Sequence, residues 1–391
     1  MTRGPFWTFV WIRVAFWLVT IVTLLWTPVR GGAIPPFGVG QTHLDLVFDA
    51  FAQKDAQWFV HIAQHGYDSS QSTAFFPLYP LCVAALAHVL GSTVVAGTIL
   101  SLLAGGIGAV VVARIARDAL DARLAADSVL YLALYPLAFV FTAVYSEGLF
   151  LALSAGAFLA AMQRRSLAAG VLAALACGTR LVGIALVVPL AIFLWPHDRS
   201  PRQLAHALPI ALVAVPFIAY AAYLQEHVGS ATAFLHAHTD WLRHFSAAGP
   251  FGGAWDGLSA GVHGAAELLR HLPQRLGSPA GYPMRDEYAT WNVLHLLLLA
   301  LALWLTWVAW RRLGAAYGGY SAAQLAVVLS SPAAVFPLVS LPRFLLVDFP
   351  LFLALAVVLD GRPRARTVVL CTFAAVGALA AAGFAHDIWI A

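Results

Sequence analysis

Residues 166–196 read SLAAGVLAALACGTRLVGIALVVPLAIFLWP. The stretch is apolar except at its middle, where Gly178-Thr179-Arg180 interrupts it. A membrane-spanning helix needs about 20 apolar residues. The stretch is therefore either one long tilted helix or two short ones meeting at the break. Flanking charge decides between them. Arg164 and Arg165 precede it, and Arg199 and Arg202 follow it. Basic loops gather on the cytoplasmic side, so both pairs share that side only if the stretch crosses an even number of times. It reads as a hairpin, with Thr179 and Arg180 turning at the outer face.

The same ruler, applied outward, predicts spans near 6–29, 93–113, 124–142, 145–163, 203–225, 289–310, 321–340, 342–360 and 366–386. The other basic clusters, Arg114/Arg117/Arg123, Arg311/Arg312 and Arg362/Arg364/Arg366, then fall on the side of Arg164. Counting through gives about eleven crossings, with the N-terminus inside and the C-terminus outside. The first run, Phe6 to Val29, is too long for a signal-peptide core and shows no small-residue cleavage site, so it reads as an uncleaved span. Composition agrees with a multi-pass protein of the cell membrane. Of the 391 residues 61% are hydrophobic and 10% charged, against about 25% charged in soluble domains, and mean hydropathy is +0.82. The net charge of +4 is carried beside apolar runs, a topology signal and not a nucleic-acid footprint. Cys82, Cys177 and Cys371 are far apart in apolar sequence and read as packing residues. The chain reads as one all-α integral-membrane domain, 1–391. Two long regions, about 30–92 and 227–288, fall outside the membrane. In the first, Phe76 to Leu90 is too short to span and reads as a half-inserted or surface helix. The second, rich in His, Gly, Pro and aromatics, reads as a partly ordered external loop.

Chemistry concentrates in residues 51–80, FAQKDAQWFVHIAQHGYDSSQSTAFFPLYP. Val47, Phe51, Asp55, Trp58 and Ile62 fall on one helical face. An acid inside an apolar stripe gains basicity by burial. A surface acid on an irregular segment, or one paired with Lys54 or another cation, fits the spacing equally well. The topology brings three more ionisable residues to the same face: Glu147 in Tyr145-Ser146-Glu147, Arg180 at the hairpin turn, and Arg343 in Leu341-Pro342-Arg343-Phe344. Ionisable residues at membrane depth are costly and mark function, although each arginine singly could snorkel to lipid phosphates. Arg13 reads as snorkelling inward. Gly105, Gly106 and Gly108 read as close-packing positions. His61 and His65 stand at a spacing that can hold zinc, but no third ligand is evident; His236 and His238 are a weaker pair. The sequence requires no cofactor, and a divalent cation lacks support.

Asp55-Ala56-Gln57-Trp58-Phe59 with Gly66-Tyr67, and Phe75-Phe76-Pro77-Leu78-Tyr79-Pro80, resemble the bacterial branch of PIG-V-type mannosyltransferases, of the GT-C class. Phe141 to Glu147, Thr179-Arg180, Arg343-Phe344 and Phe349-Pro350-Leu351-Phe352 are similar to later motifs of that family. Lys54, Phe59, Leu181 and Phe344 depart from its usual residues. The resemblance implies a GT-C bundle with surface helices in its first long loop. It implies an inverting transfer of a sugar, mannose in the family, from a polyprenyl-phosphate donor to an acceptor hydroxyl on the non-cytoplasmic face. Asp55 would be the general base, and Arg180 and Arg343 would hold the donor phosphate. Trp58, Tyr67, Tyr79, Ser146 and Glu147 would contact substrate. The acceptor, a glycan, lipid or protein, is left open. A transporter or flippase of a lipid-linked sugar is the alternative; it calls for broken helices in matched halves, and the sequence has no internal repeat.

Overall fold

The computed structural model describes residues 4–26, 48, 50–195, 205–277, 284–386 and 388, with side chains described except at 272–286. The helices are α1 Pro5–Trp26, α2 Asp55–His65, α3 Leu78–Leu90, α4 Thr93–Ala119, α5 Ala122–Leu134, α6 Glu147–Met162, α7 Ser166–Thr179 and α8 Val187–Leu194. They continue with α9 Val215–His227, α10 Ala233–Asp240, α11 Pro250–Gly277, α12 Met284–Arg312, α13 Ala315–Leu329, α14 Leu341–Leu346, α15 Phe349–Leu359 and α16 Pro363–Ala385. No strand occurs among the described residues, only an isolated bridge between Arg243 and Ala333. An apolar chain in lipid must satisfy its backbone groups internally, and helices do so. Helix ends are set locally. Ser92 and Asp121 accept from the Val95 and Leu124 amides to start α4 and α5, and left-handed Gly91 ends α3.

Among the described residues five helices are long and apolar enough to cross a membrane: Pro5–Trp26, Thr93–Ala119, Ala205–His227, Glu287–Arg312 and Pro363–Ala385. The others are shorter than the sequence suggests. The expected span 124–142 stops as a helix at Leu134, where Pro136 follows, and continues as a 3-10 turn at Ala138–Phe141. The expected span 321–340 stops at Leu329, ahead of Pro332 and Pro337. The span 342–360 is broken at Val347-Asp348 between α14 and α15. Proline cannot donate to a helix and disfavours it at the preceding residue.

Segment 166–196 is a hairpin. α7 ends at Thr179, Arg180 is extended, and a 3-10 turn at Leu181–Leu186 leads into α8. Arg180 reaches Glu147 at the start of α6, while Phe193 packs on Phe158 near its far end, with ring centroids 5.3 Å apart. The chain therefore returns along α6. The basic loops share one end of the bundle: Arg123 pairs with Asp360, Arg366 binds Asp127 through two contacts of 2.6 and 2.8 Å, and Tyr317 meets Met162. Arg199 and Arg202 lie outside the described residues. Helix α3 does not cross. Gln64 on α2 donates to Thr93 at the start of α4 at 2.8 Å, so the chain enters and leaves this excursion at the same end. The chain thus runs between the two ends about eleven times among the described residues.

Two expectations are corrected. Arg13 does not snorkel. It is buried between Phe9 and Phe16 and donates to the Ala133 carbonyl at the end of α5. Region 227–288 is not mainly loop, because it contains the 28-residue α11. Its glycines misled the composition argument. Gly253, Gly257, Gly261 and Gly264 form one face and meet Leu329, Leu338, Leu296 and Ala289, letting helices approach closely. Gly105, Gly106 and Gly108 do the same against Phe9, Phe6 and Leu151. A Cβ at Gly253 would collide with the Leu329 carbonyl oxygen, whereas one at Gly4 would meet nothing. Gly253→Val is expected to cost roughly 1–3 kcal/mol by overpacking and to lower the melting temperature in detergent, with Gly4→Ala unchanged. Equal melting of the two variants would remove this packing face.

Candidate active site

Asp55 is the first residue of α2, so the apolar stripe does not continue back through Phe51 as its spacing suggested; Val47 lies outside the described residues. Lys54 breaks the helix, with φ 59° and ψ −123°. That left-handed φ is strained for a lysine. The preceding turn is clamped from outside: the Val144 amide donates to the Phe51 carbonyl at 3.2 Å, and the Tyr145 hydroxyl to the Gln53 carbonyl at 3.3 Å. The segment 51–55 is therefore fixed against the turn that leads into α6.

The four ionisable residues singled out from the sequence form one ion-paired chain. Arg343 Nη1 lies 2.6 Å from Asp55 Oδ2, and its Nε lies 3.0 Å from Glu147 Oε1. Arg180 Nη1 lies 2.6 Å from the same Glu147 oxygen. The Glu147 side chain is fully buried, against 24% exposure for Asp55. Arg343 also lies over the Tyr145 ring at 5.1 Å, and Arg180 over Phe344 at 4.9 Å. Of the open sequence readings for Asp55, pairing with a cation is the one found, and the cation is Arg343.

Burial separates the remaining candidates. Trp58 and Tyr67 are part-exposed. Trp58 stacks on Phe75 with centroids 6.1 Å apart, and Trp241 stands edge-on to both. The Tyr67 hydroxyl donates to the Phe75 carbonyl at 2.7 Å. Burial among Tyr220 and Tyr223 pushes the Tyr67 phenol well above its usual range, desolvation being the larger cause, so it stays a neutral donor. Tyr79, Ser146 and Glu147 lie deeper than Trp58 and Tyr67. All three are essentially buried, and Tyr79 spends its hydroxyl on Ser101 and the Gly97 carbonyl. Ser146 accepts from Arg180 at 3.4 Å, and Glu147 is shared by Arg180 and Arg343.

Sequence reasoning missed Arg243. It donates to the carbonyls of Ser331 at 2.8 Å and Val339 at 2.7 Å. Its pKa is pushed down to about 10 by burial and then by Arg343, while Asp55 opposes the shift. It therefore lies within electrostatic range of the site. Two carboxylates and three guanidiniums leave these five groups with one net positive charge. A local signal exists only in the backbone. Lys54, Leu242 and Ser340, each with positive φ, stand directly before Asp55 and Arg243 and three residues before Arg343.

The paired histidines do not gather ligands. His61 Nε2 sits 2.8 Å from Asp68, and His238 meets the Ser331 hydroxyl at 3.1 Å. Among the described residues no group of three or more His, Cys, Asp or Glu is placed to hold a metal ion.

Glu147→Gln is expected to leave Arg180 buried without its anion. Breaking such a pair costs about 3–5 kcal/mol, readable as a large drop in melting temperature, and an unchanged melt would show that the bridge holds nothing together. A second expectation concerns pH. Burial, then Arg243, pushes His238 down to about 4 from 6.5. A depressed histidine stabilises the fold fully above about pH 6.5, and that contribution is lost as pH falls toward 4. Thermal stability should fall across this window, and less steeply in His238→Gln; identical slopes would exclude this histidine.

Comparison with curated proteins finds no match. A solved structure that this chain resembles is the crystal structure of the Archaeoglobus fulgidus oligosaccharyltransferase tethered through a disulfide bond to an acceptor peptide containing the NVT sequon. The likeness has 12% identity and a TM-score of 0.44, and covers 97% of this chain but 55% of that one. This chain thus spans about half the length of that neighbour. Asp55, Glu147 and Arg180 lie within the part of the sequence that a family model covers, and Arg343 lies beyond it. That model, matching residues 16–194, is described as mannosyltransferase (PIG-V), the family that the motifs around these three residues resemble.

Proposed function

We propose that this glycosyltransferase-like protein moves a hexose, mannose by the family match, from a polyprenyl-phosphate donor to an acceptor hydroxyl on the non-cytoplasmic face. The observation that carries the reading is the chain Asp55–Arg343–Glu147–Arg180 at the end of the bundle opposite the basic loops. An anion suits a site whose charged groups sum to a positive charge.

An apolar cavity of about 560 Å³ lies between α3, α7 and α9. Tyr67, Leu81, Val171, Gly178, Pro216 and Tyr220 are among its lining residues. Gly178 is two residues from Arg180, so a prenyl chain in this cavity would bring its phosphate toward the arginines. Exposed Leu81 and Val171 on its walls fit a lipid-facing opening.

The chemistry follows from the charges. The acceptor oxygen attacks the anomeric carbon while its proton passes to Asp55. The bond from that carbon to the phosphate oxygen breaks, and its electrons stay on the phosphate. Arg343 and Arg180 neutralise the leaving anion. A single displacement inverts the anomeric centre. Arg343 is engaged by Asp55. An incoming phosphate competes for that guanidinium and frees the carboxylate to take a proton. Glu147 does not exchange, because it is buried and shared by both arginines. Trp58, beside Phe75 and Trp241, offers an aromatic face for a sugar ring.

The test uses membranes holding the full chain, radiolabelled polyprenyl-phosphate mannose and a range of acceptors. Wild type should transfer label, and Asp55→Asn should lose about 10²-fold or more. Full transfer by Asp55→Asn removes it as base. Absence of transfer, together with movement of the lipid between leaflets, favours a flippase.

A further inference from the structure

A second cavity lies apart from the apolar one. It has a volume of about 700 Å³ and opens between α11, the start of α12 and the segment 333–337. This is within the roughly 300–1,000 Å³ typical of ligand sites. Its polar lining includes Asp256, Ser259, His263, Glu267, Tyr288 and Asn292.

Helix α11 explains why the cavity exists. At 100° per residue it has three faces. Gly253, Gly257, Gly261 and Gly264 pack against the bundle. Phe251, Trp255, Leu258, Val262 and Leu269 form an exposed apolar stripe. Asp256, Ser259, His263, Glu267 and Arg270 occupy the third face and turn into the cavity. Neither packing nor lipid contact requires this third face to be so polar.

The chemistry of the lining selects a ligand class. Asp256, Glu267 and Arg270 sum to one negative charge with the histidines neutral, and Glu267 already pairs with Arg270 at 3.8 Å and His271 at 3.5 Å. That balance disfavours an anion. No set of three metal ligands stands together among the described residues. Asp256 has no hydrogen-bond or ion-pair partner among them. Carboxylates, an amide, a hydroxyl and a phenol around one space suit many neighbouring hydroxyl groups.

Position ties the cavity to the reaction. Arg243 and Ala333 form an antiparallel bridge, and side chains alternate along such a segment. His244 lines the cavity, while its neighbour Arg243 lies within range of Asp55 and Arg343. Arg243 also donates to the carbonyls of Ser331 and Val339, at the two ends of the segment whose residues 333–337 line the cavity.

We propose that this cavity holds the saccharide portion of the acceptor, a neutral polyhydroxylated glycan, with Asp256 and Asn292 hydrogen-bonding its hydroxyls. As an acceptor site it rests on the transferase reading. As a glycan site it can be tested without turnover.

The experiment measures binding of a panel of neutral hexose and N-acetylhexosamine oligosaccharides, with uronic-acid oligosaccharides for contrast. The full chain in nanodiscs is used. A second arm presents the neutral glycans attached to lipid in phosphatidylcholine vesicles. Saturable binding of a neutral glycan is expected, weakened about tenfold by Asp256→Asn and separately by Asn292→Ala, each removing a hydrogen bond. Using two variants with melting close to wild type guards against misfolding as the cause. Binding in both arms marks a glycan recognised alone; binding only in the vesicle arm marks a lipid-anchored one. With an active donor, both variants should raise the acceptor KM more than they lower kcat. The proposal is overturned if no neutral glycan binds in either arm, if acidic glycans bind more tightly, or if both variants bind as wild type does. Glycan binding that depends on Asp256, without transfer from any donor, would sink the transferase reading and leave the saccharide site standing.

Discussion

A fully buried carboxylate shared by two guanidiniums holds this molecule in register. Glu147 lies 2.6 Å from Arg180 and 3.0 Å from Arg343. Burying a charge is expensive unless it is paired. The pairing therefore forces the start of α6, the turn after α7 and helix α14 to meet at one point. Glu147 is the first residue of α6, where the helix dipole also favours a negative charge. The ion-paired chain adds a fixed point to the close glycine packing of the helices.

The site inherits its rigidity from this bridge. Arg343 is fixed from one side by Glu147 and from below by the Tyr145 ring, and only then meets Asp55. Asp55 is fixed by the clamped turn before it. The left-handed residues Lys54, Leu242 and Ser340 are unfavourable by themselves and persist because their surroundings fix them. Strain of this kind aims side chains that a relaxed backbone would point elsewhere.

Two cavities differ in character. The one between α3, α7 and α9 is almost wholly apolar, and the one beside α11 mixes polar and apolar lining. The division arises from helix faces: α11 gives glycine to the bundle, apolar side chains to the outside and polar ones to the cavity.

Much of this was legible beforehand. Composition marked a membrane bundle, and the arginines around 166–196 predicted the hairpin that Phe158 and Phe193 report. The charge rule placed Asp55, Glu147, Arg180 and Arg343 at one end because charge in short loops sets orientation irrespective of contacts. It could not say which carboxylate meets which arginine, since pairing depends on side-chain reach across elements up to 288 residues apart. Nor could it separate Tyr79 and Glu147, which are fully buried, from Trp58 and Tyr67, which are part-exposed; aromatic and acidic residues carry no mark of depth. Arg243 escaped notice because its partners are backbone carbonyls, which leave no trace in side-chain patterns. The sequence by itself determined the membrane, the hairpin and the end of the bundle at which charge collects, because these follow from transfer free energies along the chain. Only the tertiary structure decided that Glu147 supports and Asp55 is left accessible, because burial is set by neighbours that the chain brings from elsewhere.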